Sequence, residues 1–394
     1  MSWPTSTIGE VCLVVTGATP KTGTPDFWDG NIPWVTPKNL SDLQQKYLSD
    51  TPRKLTDAGF KSCSTNMLPA QSVLLSSRAP IGLVAINTIP VCTNQGFKSL
   101  VPRNGRVSSD YLYWWLVVHQ EHLQWMGRGA TFKEVSKKIV ESIQIPLPPL
   151  AEQKRIAAIL DAADALRTKR RESLDQLDTL LQSTFLEMFG DPVTNPMEWR
   201  IERLTDVCVK ITDGTHHSPP TLDDGIPYIT AKHLKKDGLK FFEKPWYVSS
   251  EHHAEIFARC DPQQGDVLYI KDGATTGIAA VNHYDFEFSM LSSLALLKPN
   301  THVIHSVYLC AYLNNERNKS ALTDRMGGAA IKRLTLTKIK TFEIPLPPLS
   351  LQHRFAAIVE SIEQQKATQR QHLEELDTLF AALQQRAFNG ELTA

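Results

Sequence analysis

The chain contains two copies of one sequence unit, and this internal repeat restricts its fold more than any other feature. Residues 145–150 read Ile-Pro-Leu-Pro-Pro-Leu and recur unchanged as residues 344–349, an offset of 199 positions. The same offset continues without a gap as far as Phe189 in the first copy and Phe388 in the second. A repeat of this kind predicts that one structural unit is built twice in the same chain.

The repeat is uneven along the unit. Residues 32–36 resemble residues 226–230, but most of the sequence before each proline segment differs between the copies. We therefore expect the closely repeated segments to do one job twice, and the loosely repeated segments to do related but different jobs. The pattern predicts globular parts at 1–144 and 196–343, and helical regions at 145–195 and 344–394.

Each proline segment is followed by a stretch that predicts a long helix. Residues 151–189 and 350–388 contain no proline or glycine, and Gly190-Asp191-Pro192 and Asn389-Gly390 end them. Each helix would span about 39 residues, or roughly 58 Å at 1.5 Å per residue.

Apolar residues recur at spacings of three and four along both stretches, which predicts two heptad seams. Long polar residues interrupt the seams at matching positions, Arg167 in the first and Lys366 in the second. Matched seams favour pairing of the helices in an antiparallel coiled coil; packing of each helix on its own domain remains the alternative. The predicted seam residues are Ile156, Leu160, Ala163, Arg167, Arg170, Leu174, Leu177, Leu181, Thr184 and Met188, and Phe355, Val359, Ile362, Lys366, Gln369, Leu373, Leu376, Phe380, Leu383 and Ala387.

The globular parts show short β-type runs broken by Pro, Gly, Asn and Asp, such as residues 73–75 and 266–270. Each part also holds one aromatic-rich helical stretch, at 111–124 and 307–315. The expected fold class is α+β: two tandem, pseudo-twofold-related recognition domains, each with a mixed or antiparallel sheet, joined by two long helices that form an antiparallel coiled coil.

The formal net charge is zero, with 42 basic and 42 acidic residues, and this balance argues against a free-standing DNA-binding protein. A local surplus nevertheless precedes each proline segment. Residues 127–140 carry four basic residues and one acidic residue, and residues 325–340 carry five basic residues and no acidic one. Because glycine lets a backbone approach a phosphate closely and Arg and Lys supply charge, these paired loops predict DNA contact.

Two further loops extend this prediction. Residues 76–82 and 270–277 carry cations and hydroxyls, and Asn94-Gln95 could read adenine or could simply form a turn. For all of these loops, a solvated segment that closes the domain is the alternative. The candidate DNA-binding residues are Lys38, Arg78, Gln95, Lys98, Arg128, Thr131 and Lys133 in the first copy, and Lys232, Lys271, Thr275, Thr276, Arg325, Lys332 and Arg333 in the second.

Four polar residues of the helices recur between the copies, namely Gln153 and Arg155 in the first and Gln352 and Arg354 in the second. We expect them on the exposed flanks of the seams. A partner protein present in two copies would explain why these residues repeat while the globular parts do not.

No catalytic motif stands out. Asn195-Pro196-Met197-Glu198 lacks the second proline and the aromatic residue of an adenine methyltransferase loop, and no glycine-rich cofactor loop, Walker lysine or nuclease array is found. The six cysteines form no metal-binding spacing and are expected to be reduced and mostly buried. The pairs His216-His217 and His252-His253 are expected to be surface residues. No catalytic centre, metal or bound cofactor is therefore predicted.

No apolar run is long enough for a transmembrane helix, and the first residues lack the pattern of a signal peptide. We therefore expect a cytoplasmic protein.

With these motifs in view, the chain resembles the specificity subunits of type I restriction–modification systems. The resemblance covers the whole chain. Its specific parts are the duplicated Ile-Pro-Leu-Pro-Pro-Leu segment, the helix after it with Gln, Arg and Ala-Ala-Ile, and the terminal Ala-Phe-Asn-Gly-Glu-Leu-Thr at 387–393.

The resemblance implies a function and a set of partners. Such subunits carry two target recognition domains, each reading one half of a bipartite DNA site, and two helices that act as a ruler between them. Two modification subunits dock on the helical regions and methylate adenine with S-adenosylmethionine, and restriction subunits use ATP and Mg to cleave DNA. Two rivals stay open: an enzyme with a degenerate motif, and a scaffold or inhibitor that binds only proteins.

Overall fold

The computed structural model describes residues 3–103, 105–127, 134–323 and 333–392. The chain divides into two compact units. Unit 1 comprises residues 1–171 and 371–394, and unit 2 comprises residues 172–370. Each unit therefore combines one globular part with a portion of both long helices. The four-segment division made from the sequence stays a prediction.

The globular part of unit 1 is built from short strands and short helices. The strands are β1 (Thr5–Thr7), β2 (Cys12–Thr16), β3 (Trp28–Val35), β4 (Tyr47–Leu48), β5 (Lys54–Leu55), β6 (Val73–Leu75), β7 (Val84–Asn87), β8 (Cys92–Thr93), β9 (Lys98–Pro102) and β10 (Gln144–Pro146). The helices are α1 (Ile8–Val11), α2 (Pro37–Asp42), α3 (Asp57–Lys61), α4 (Ser109–Val118), α5 (Gln120–Met126) and α6 (Lys137–Ser142), with a 3-10 turn at Pro25–Phe27. The long helix α7 (Leu150–Phe189) follows.

Unit 2 repeats this order of elements. Its strands are β11 (Arg200–Arg203), β12 (Cys208–Asp213), β13 (Ile226–Ile229), β14 (Leu234–Lys235), β15 (Gly238–Leu239), β16 (Tyr247–Val248), β17 (Val267–Ile270), β18 (Ala279–Val281), β19 (Ser289–Met290), β20 (Leu294–Pro299) and β21 (Glu343–Leu346). Its helices are α8 (Leu204–Val207), α9 (Ser250–Phe257), α10 (Ser306–Asn314), α11 (Glu316–Thr323) and α12 (Leu336–Lys340), with 3-10 turns at Ala231–His233 and Phe241–Glu243. The second long helix, α13 (Leu349–Asn389), closes the chain.

Both long helices begin and end within one residue of the predicted bounds, because the flanking prolines and glycines are local signals that need no tertiary context. Helix α7 passes from unit 1 into unit 2 after Arg171, and α13 passes back into unit 1 after Arg370. No helix of the described ranges is both long and apolar enough to cross a membrane.

Each unit has a central sheet that is buried on both faces. The strand order is β2-β9-β6-β7-β4 in unit 1 and β12-β20-β17-β18 in unit 2, and the pairs are antiparallel except for β4 with β7. Side chains alternate along a strand, so Val267 and Tyr269 join the core shared with the long helices, while Leu268 and Ile270 join a second core. Burial on both faces explains why these runs are continuously apolar.

A smaller sheet lies over the second core of each unit. Its order is β5-β3-β8 in unit 1 and β16-β13-β19 in unit 2, and each combines an antiparallel pair with a parallel pair. The predicted α+β class with mixed sheets is therefore confirmed.

The long helices pair antiparallel within each unit. In unit 1, Ile156 and Leu160 of early α7 share a buried cluster with Phe380 and Ala387 of late α13. In unit 2, the ring centroids of Phe189, in late α7, and Phe355, in early α13, lie 5.2 Å apart. The predicted antiparallel pairing is confirmed, although each helix also packs on its own globular part.

Two equivalent ion pairs occupy the polar positions of the seams. Arg167 Nε lies 2.6 Å from Asp377 Oδ1 in unit 1, and Lys366 Nζ lies 2.7 Å from Asp178 Oδ1 in unit 2. Both members are related by the offset of 199 positions. Burial alone lowers the pKa of Lys366, but its hydrogen bonds to Asp178 and Glu363 raise it overall. These charged pairs can form in one register only, so they specify the helix alignment.

Near the end of α7 the buried face of the helix is wider than the predicted seam. Phe185 is buried at this level, whereas Thr184, the predicted seam residue, is only half-buried. Here α7 packs against the globular core as well as against α13, so its buried face is wider than a coiled-coil seam and includes the neighbouring position.

Lys46, most of whose side chain is shielded from solvent, ties the globular part of unit 1 to its long helix. Lys46 Nζ lies 2.7 Å from Asp110 Oδ1 at the start of α4 and 2.8 Å from Asp161 Oδ1 on α7. The indole of Trp114 donates a 2.8 Å hydrogen bond to the same Asp161 oxygen. Because Lys46 lies beside β4, this network fixes the distal edge of the central sheet relative to α7.

Candidate nucleic-acid interface

In unit 1, three loops that are far apart in sequence meet at one edge of the sheet. The loop at 76–82 is closed by a 2.9 Å hydrogen bond from Gly82 N to Ser76 O. Ser77 then joins it to two other segments, because Ser77 N donates to Gly96 O at 2.7 Å and Val135 N donates to Ser77 O at 2.9 Å. Residues 134–135, which follow the first basic loop in sequence, thus lie against the loop at 76–82.

Unit 2 has the same arrangement. Gly277 N donates to Ile270 O at 2.9 Å, Lys271 N donates to Ser293 O at 3.0 Å, and Leu334 N donates to Lys271 O at 2.9 Å. We call these segments the loop edge of each unit. The loop edge comprises residues 76–82, 93–97 and 134–135 in unit 1, and residues 270–277, 290–294 and 333–334 in unit 2.

A glycine with positive φ ends the closed loop in both units. Gly82 has φ 87° and Gly277 has φ 95°, a conformation that L-residues rarely adopt. A Cβ at either position would also clash, with Gln120 of α5 in unit 1 and with Lys319 of α11 in unit 2. The short helix after α4 or α10 therefore packs directly on this loop, and glycine is needed for both backbone and space.

The two loop edges carry one ion pair with reversed polarity. In unit 1, Arg78 of the closed loop faces Glu134 of the segment 134–135, at 3.9 Å. In unit 2, Asp272 of the closed loop faces Arg333 of the segment 333–334. Arg333 Nε lies 3.0 Å from Asp272 Oδ1, as an ion pair without hydrogen-bond alignment. Each unit thus places one partly exposed guanidinium at the same point, from opposite segments.

A buried lysine supports each acidic partner, and this changes the interpretation of two predicted DNA-binding residues. Lys98 donates a 2.8 Å hydrogen bond to Glu134. Lys271, with 2% of its surface exposed, lies 3.1 Å from Asp272 Oδ2 and 3.5 Å from Asp213 Oδ2. An ammonium group buried against carboxylates is not available to a phosphate, so the prediction of direct contact is corrected for both lysines.

The prediction of DNA contact is also corrected for Thr276, because this residue is buried and its hydroxyl donates to Gly273 O at 2.7 Å. Neighbouring Thr275 is exposed. Of the two residues proposed from Asn94-Gln95, Asn94 forms a turn by accepting from Gly96 N at 2.9 Å, and Gln95 is exposed and accepts a hydrogen bond from Thr19. The turn interpretation therefore holds for Asn94.

Lys38 and Lys232 lie beside the loop edges and are exposed. Lys38 is the second residue of α2, and the first, Pro37, packs so closely on Gly96 that a Cβ there would lie 3.1 Å from Pro37 Cγ. Lys232 follows Ala231, whose N–H donates to Ser293 Oγ at 3.3 Å, and its ammonium lies 4.5 Å from the ring centroid of Trp246. Both lysines remain candidates for DNA contact. The remaining candidates, Arg128, Thr131, Lys133, Arg325 and Lys332, lie outside the described residues.

Sequence reasoning missed a fourth segment at each loop edge. Ala18 N donates to Thr93 O at 3.0 Å in unit 1, and Thr215 N donates to Met290 O at 2.8 Å in unit 2. In unit 2 this segment brings His216 Nε2 to 3.3 Å from Asp213 Oδ2. The available signal was the glycine that follows β2 and β12, which a side chain could not replace without colliding with the neighbouring backbone.

Gln153 and Gln352 are not on the exposed flanks of the helices, so this prediction is wrong. Both are 0% exposed. Gln153 accepts from Ser108 N at 2.8 Å and donates to Arg106 O and Pro148 O, each at 2.9 Å. Gln352 makes the equivalent bonds to His305 N, Val303 O and Pro347 O. They recur because each joins the proline segment to the start of α4 or α10.

Arg155 and Arg354 remain candidates for partner contact. Arg354 is exposed. Arg155 is partly exposed; it pairs with Glu152 at 2.7 Å and also donates to Leu392 O in the C-terminal segment. Burial is complete or nearly so for Cys12, Cys92, Cys208 and Cys260, as expected, and the six cysteines are free thiols. Within the described residues, no group of three metal-ligating side chains is assembled.

Comparison with known proteins gives consistent matches along the chain. A family model described as the type I restriction modification DNA specificity domain matches residues 2–176 and again residues 196–378. The type I restriction enzyme MjaIX specificity subunit of Methanocaldococcus jannaschii is 26% identical over 414 residues, covering 99% of this chain and 93% of that protein.

Two solved structures share the fold. One comes from a structural study of complex assembly and conformational transition in the type I R-M system, with a TM-score of 0.61, 22% identity, and coverage of 99% of this chain and 98% of that chain. The other is the type I restriction-modification system S subunit from M. genitalium, with a TM-score of 0.59, 14% identity, and coverage of 98% and 96%.

Proposed function

The chain belongs to the family defined by the type I restriction modification DNA specificity domain, and on that premise we propose that it is the DNA-reading subunit of such a complex. The loop edge of unit 1 would read one half of a bipartite site, and the loop edge of unit 2 the other half. The observation that carries this proposal is the pair of equivalent loop edges, each presenting one guanidinium at the same point of its fold.

The reversed polarity of the ion pair supports different specificities for the two halves. Arg78 comes from the closed loop of unit 1, whereas Arg333 comes from the segment that pairs with the closed loop of unit 2. Their guanidinium groups therefore approach a ligand from different directions. An arginine fork can bind guanine O6 and N7 together, or bind a phosphate, depending on its direction of approach. The same fold can thus present different contacts to DNA in the two units while its sheets and helices stay the same.

We propose that the chain itself is not an enzyme. Two modification subunits would dock along the helical regions and methylate adenine with S-adenosylmethionine, and restriction subunits would use ATP and Mg. This chain would bind neither cofactor, and its cytoplasmic location would follow from its DNA ligand. The zero net charge of the chain supports this assignment of roles. A chain without a surplus of positive charge would rely on its partners for a large share of the phosphate contacts.

Neutralising one guanidinium should disturb one half-site only. We expect Arg78→Gln to relax or weaken recognition of one half-site and Arg333→Gln that of the other, each at a cost of about 1–3 kcal/mol if the residue reads a base. The measurement is methylation mapping in cells that express each variant with the modification subunit. Lys38→Gln and Lys232→Gln in parallel would show whether a neighbouring cation acts the same way.

Two results would contradict the proposal. Methylation of an unchanged motif by both arginine variants would remove the loop edges from recognition. Methylation by this chain without any partner subunit would contradict its non-catalytic role.

Reversal of charge at the repeated helix arginines should weaken partner docking. We expect Arg155→Glu together with Arg354→Glu to reduce co-purification with the modification subunit at least tenfold, because both arginines occupy equivalent, accessible positions at the start of a long helix. Circular dichroism should show intact folding. Arg386→Glu, on an exposed position of α13, is the matched control, and equal binding by all variants would refute the assignment.

A further inference from the structure

Trp125 has 81% of its surface exposed. Among the described residues, no other large hydrophobic side chain is exposed to this extent. Its ring stacks on His122, with centroids 6.0 Å apart and an interplanar angle of 14°. Trp is usually well buried, since it carries the largest apolar surface of any side chain. We therefore expect the exposed indole of Trp125 to contact a ligand.

The helix that carries Trp125 is firmly attached to the loop edge of unit 1. Leu123 of α5 is buried in the core of the unit, with 1% exposure. Gln124 Nε2 donates to Ile81 O at 3.4 Å, and Gln120 packs on Gly82. Trp125 therefore directly follows Gln124, whose side chain contacts the loop that contains Arg78.

The surroundings of Trp125 favour DNA over a protein as its ligand. The other exposed positions of α5 are polar, namely Glu121, His122 and Gln124, so the exposed face of this helix carries no apolar patch around the indole. Aromatic anchors of protein interfaces normally lie within a water-excluding ring of contacts. Arg78 lies in the loop on which α5 packs, and aromatic side chains next to cationic ones are typical of nucleic-acid interfaces.

Among the described residues, the equivalent helix of unit 2 lacks this feature. In unit 2, α11 packs on Gly277 in the same way through Lys319, but α11 contains no aromatic residue. An effect of Trp125 should therefore appear at one half-site and not at the other.

We propose that Trp125, supported by His122, packs its ring against a deoxyribose of the DNA backbone at the half-site read by unit 1. The contact contributes affinity without neutralising a phosphate. This inference rests on the proposed function, since it assumes that the loop edge of unit 1 faces DNA.

The test uses the complex of this chain with its modification subunit and a duplex that carries the motif mapped by methylation in cells. Trp125→Ala should lower the affinity about tenfold, because the apolar contact between the ring and the sugar is lost. The slope of log affinity against log salt should stay unchanged, because no counterion release is lost. Trp125→Phe should keep most of the affinity, since a ring remains. Glu121→Ala is the control on the same helix.

The outcomes separate this inference from the proposed function. If the wild-type complex shows no preference for any duplex sequence, the proposed function fails. If the wild type is specific but Trp125→Ala binds equally well, only the role of Trp125 fails. Weaker assembly with the modification subunit, with unchanged DNA affinity of the assembled complex, would instead assign Trp125 to a protein interface and overturn the inference.

Discussion

Replacing Gln153 by leucine is expected to destabilise unit 1 by about 3 kcal/mol, because three backbone groups lose their partner at once. Ser108 N–H, Arg106 C=O and Pro148 C=O all bond to this one amide, which is completely buried. An unsatisfied buried backbone group costs roughly 1–3 kcal/mol, and two of these three bonds are only part-buried, so the lower part of the summed range applies.

Thermal unfolding of the full chain measures this effect. A loss of about 3 kcal/mol should lower the melting temperature of unit 1 by roughly 6–12 °C. Gln352→Leu should do the same to unit 2, since its three bonds are equivalent. Gln153→Glu should be no better than leucine, because a carboxylate oxygen would then face two carbonyl oxygens.

Gln385→Leu is the matched control, since Gln385 is exposed on α13. It should leave the melting temperature within about 1–2 °C of the wild type. Equal melting temperatures for Gln153→Leu and the wild type would show that the buried amide is not needed, and would reopen a partner-binding role for the glutamines.

Lengthening both long helices equally is expected to change the spacing between the two half-sites while the half-site sequences stay the same. The segment of α7 between Arg167 and Asp178 and the segment of α13 between Lys366 and Asp377 are bounded by the same two ion pairs. Seven residues inserted after Thr168 and seven after Ala367 would lengthen both segments by two turns, or about 10 Å. Seven residues also preserve the heptad phase of both seams.

At about 3.4 Å per base pair, the expected result is a spacer longer by roughly three base pairs. The residues proposed to read bases lie in the globular parts, so the letters of each half-site should not change. Methylation mapping in cells reads both properties at once. An active variant with the original spacer and altered half-sites would refute a ruler role for the helices.

An insertion in one helix only provides the comparison. Four residues added after Thr168 alone would move Arg167 and Asp178 apart by about 6 Å along α7, while their partners on α13 stay fixed. Both ion pairs could then form only if one helix bulged. We therefore expect the single insertion to lose stability and activity that the paired insertion retains.

Sequence alone determined the features that depend on neighbouring residues or on comparison of the two copies. Prolines and glycines mark the ends of α7 and α13 because they act on the local backbone. The offset of 199 positions predicted that Arg167 and Lys366 would be equivalent, and the structure pairs them with equivalent aspartates, Asp377 and Asp178. The paired basic loops were visible because they recur at matching places in both copies.

Only the tertiary structure decided which polar residues are exposed. Lys98 meets Glu134, 36 positions away in sequence, and Lys271 meets Asp213, 58 positions away, so burial of these lysines depends on how distant segments pack. The repeat of Gln153 and Gln352 indicated a shared role, but a shared role can be internal hydrogen bonding as readily as partner binding. Trp125 shows the converse, since aromatic residues are usually buried and only the packing of Leu123 directs this ring to solvent. Composition and periodicity are properties of the local chain, whereas exposure is set by long-range contacts, and for that reason the site residues needed the structure.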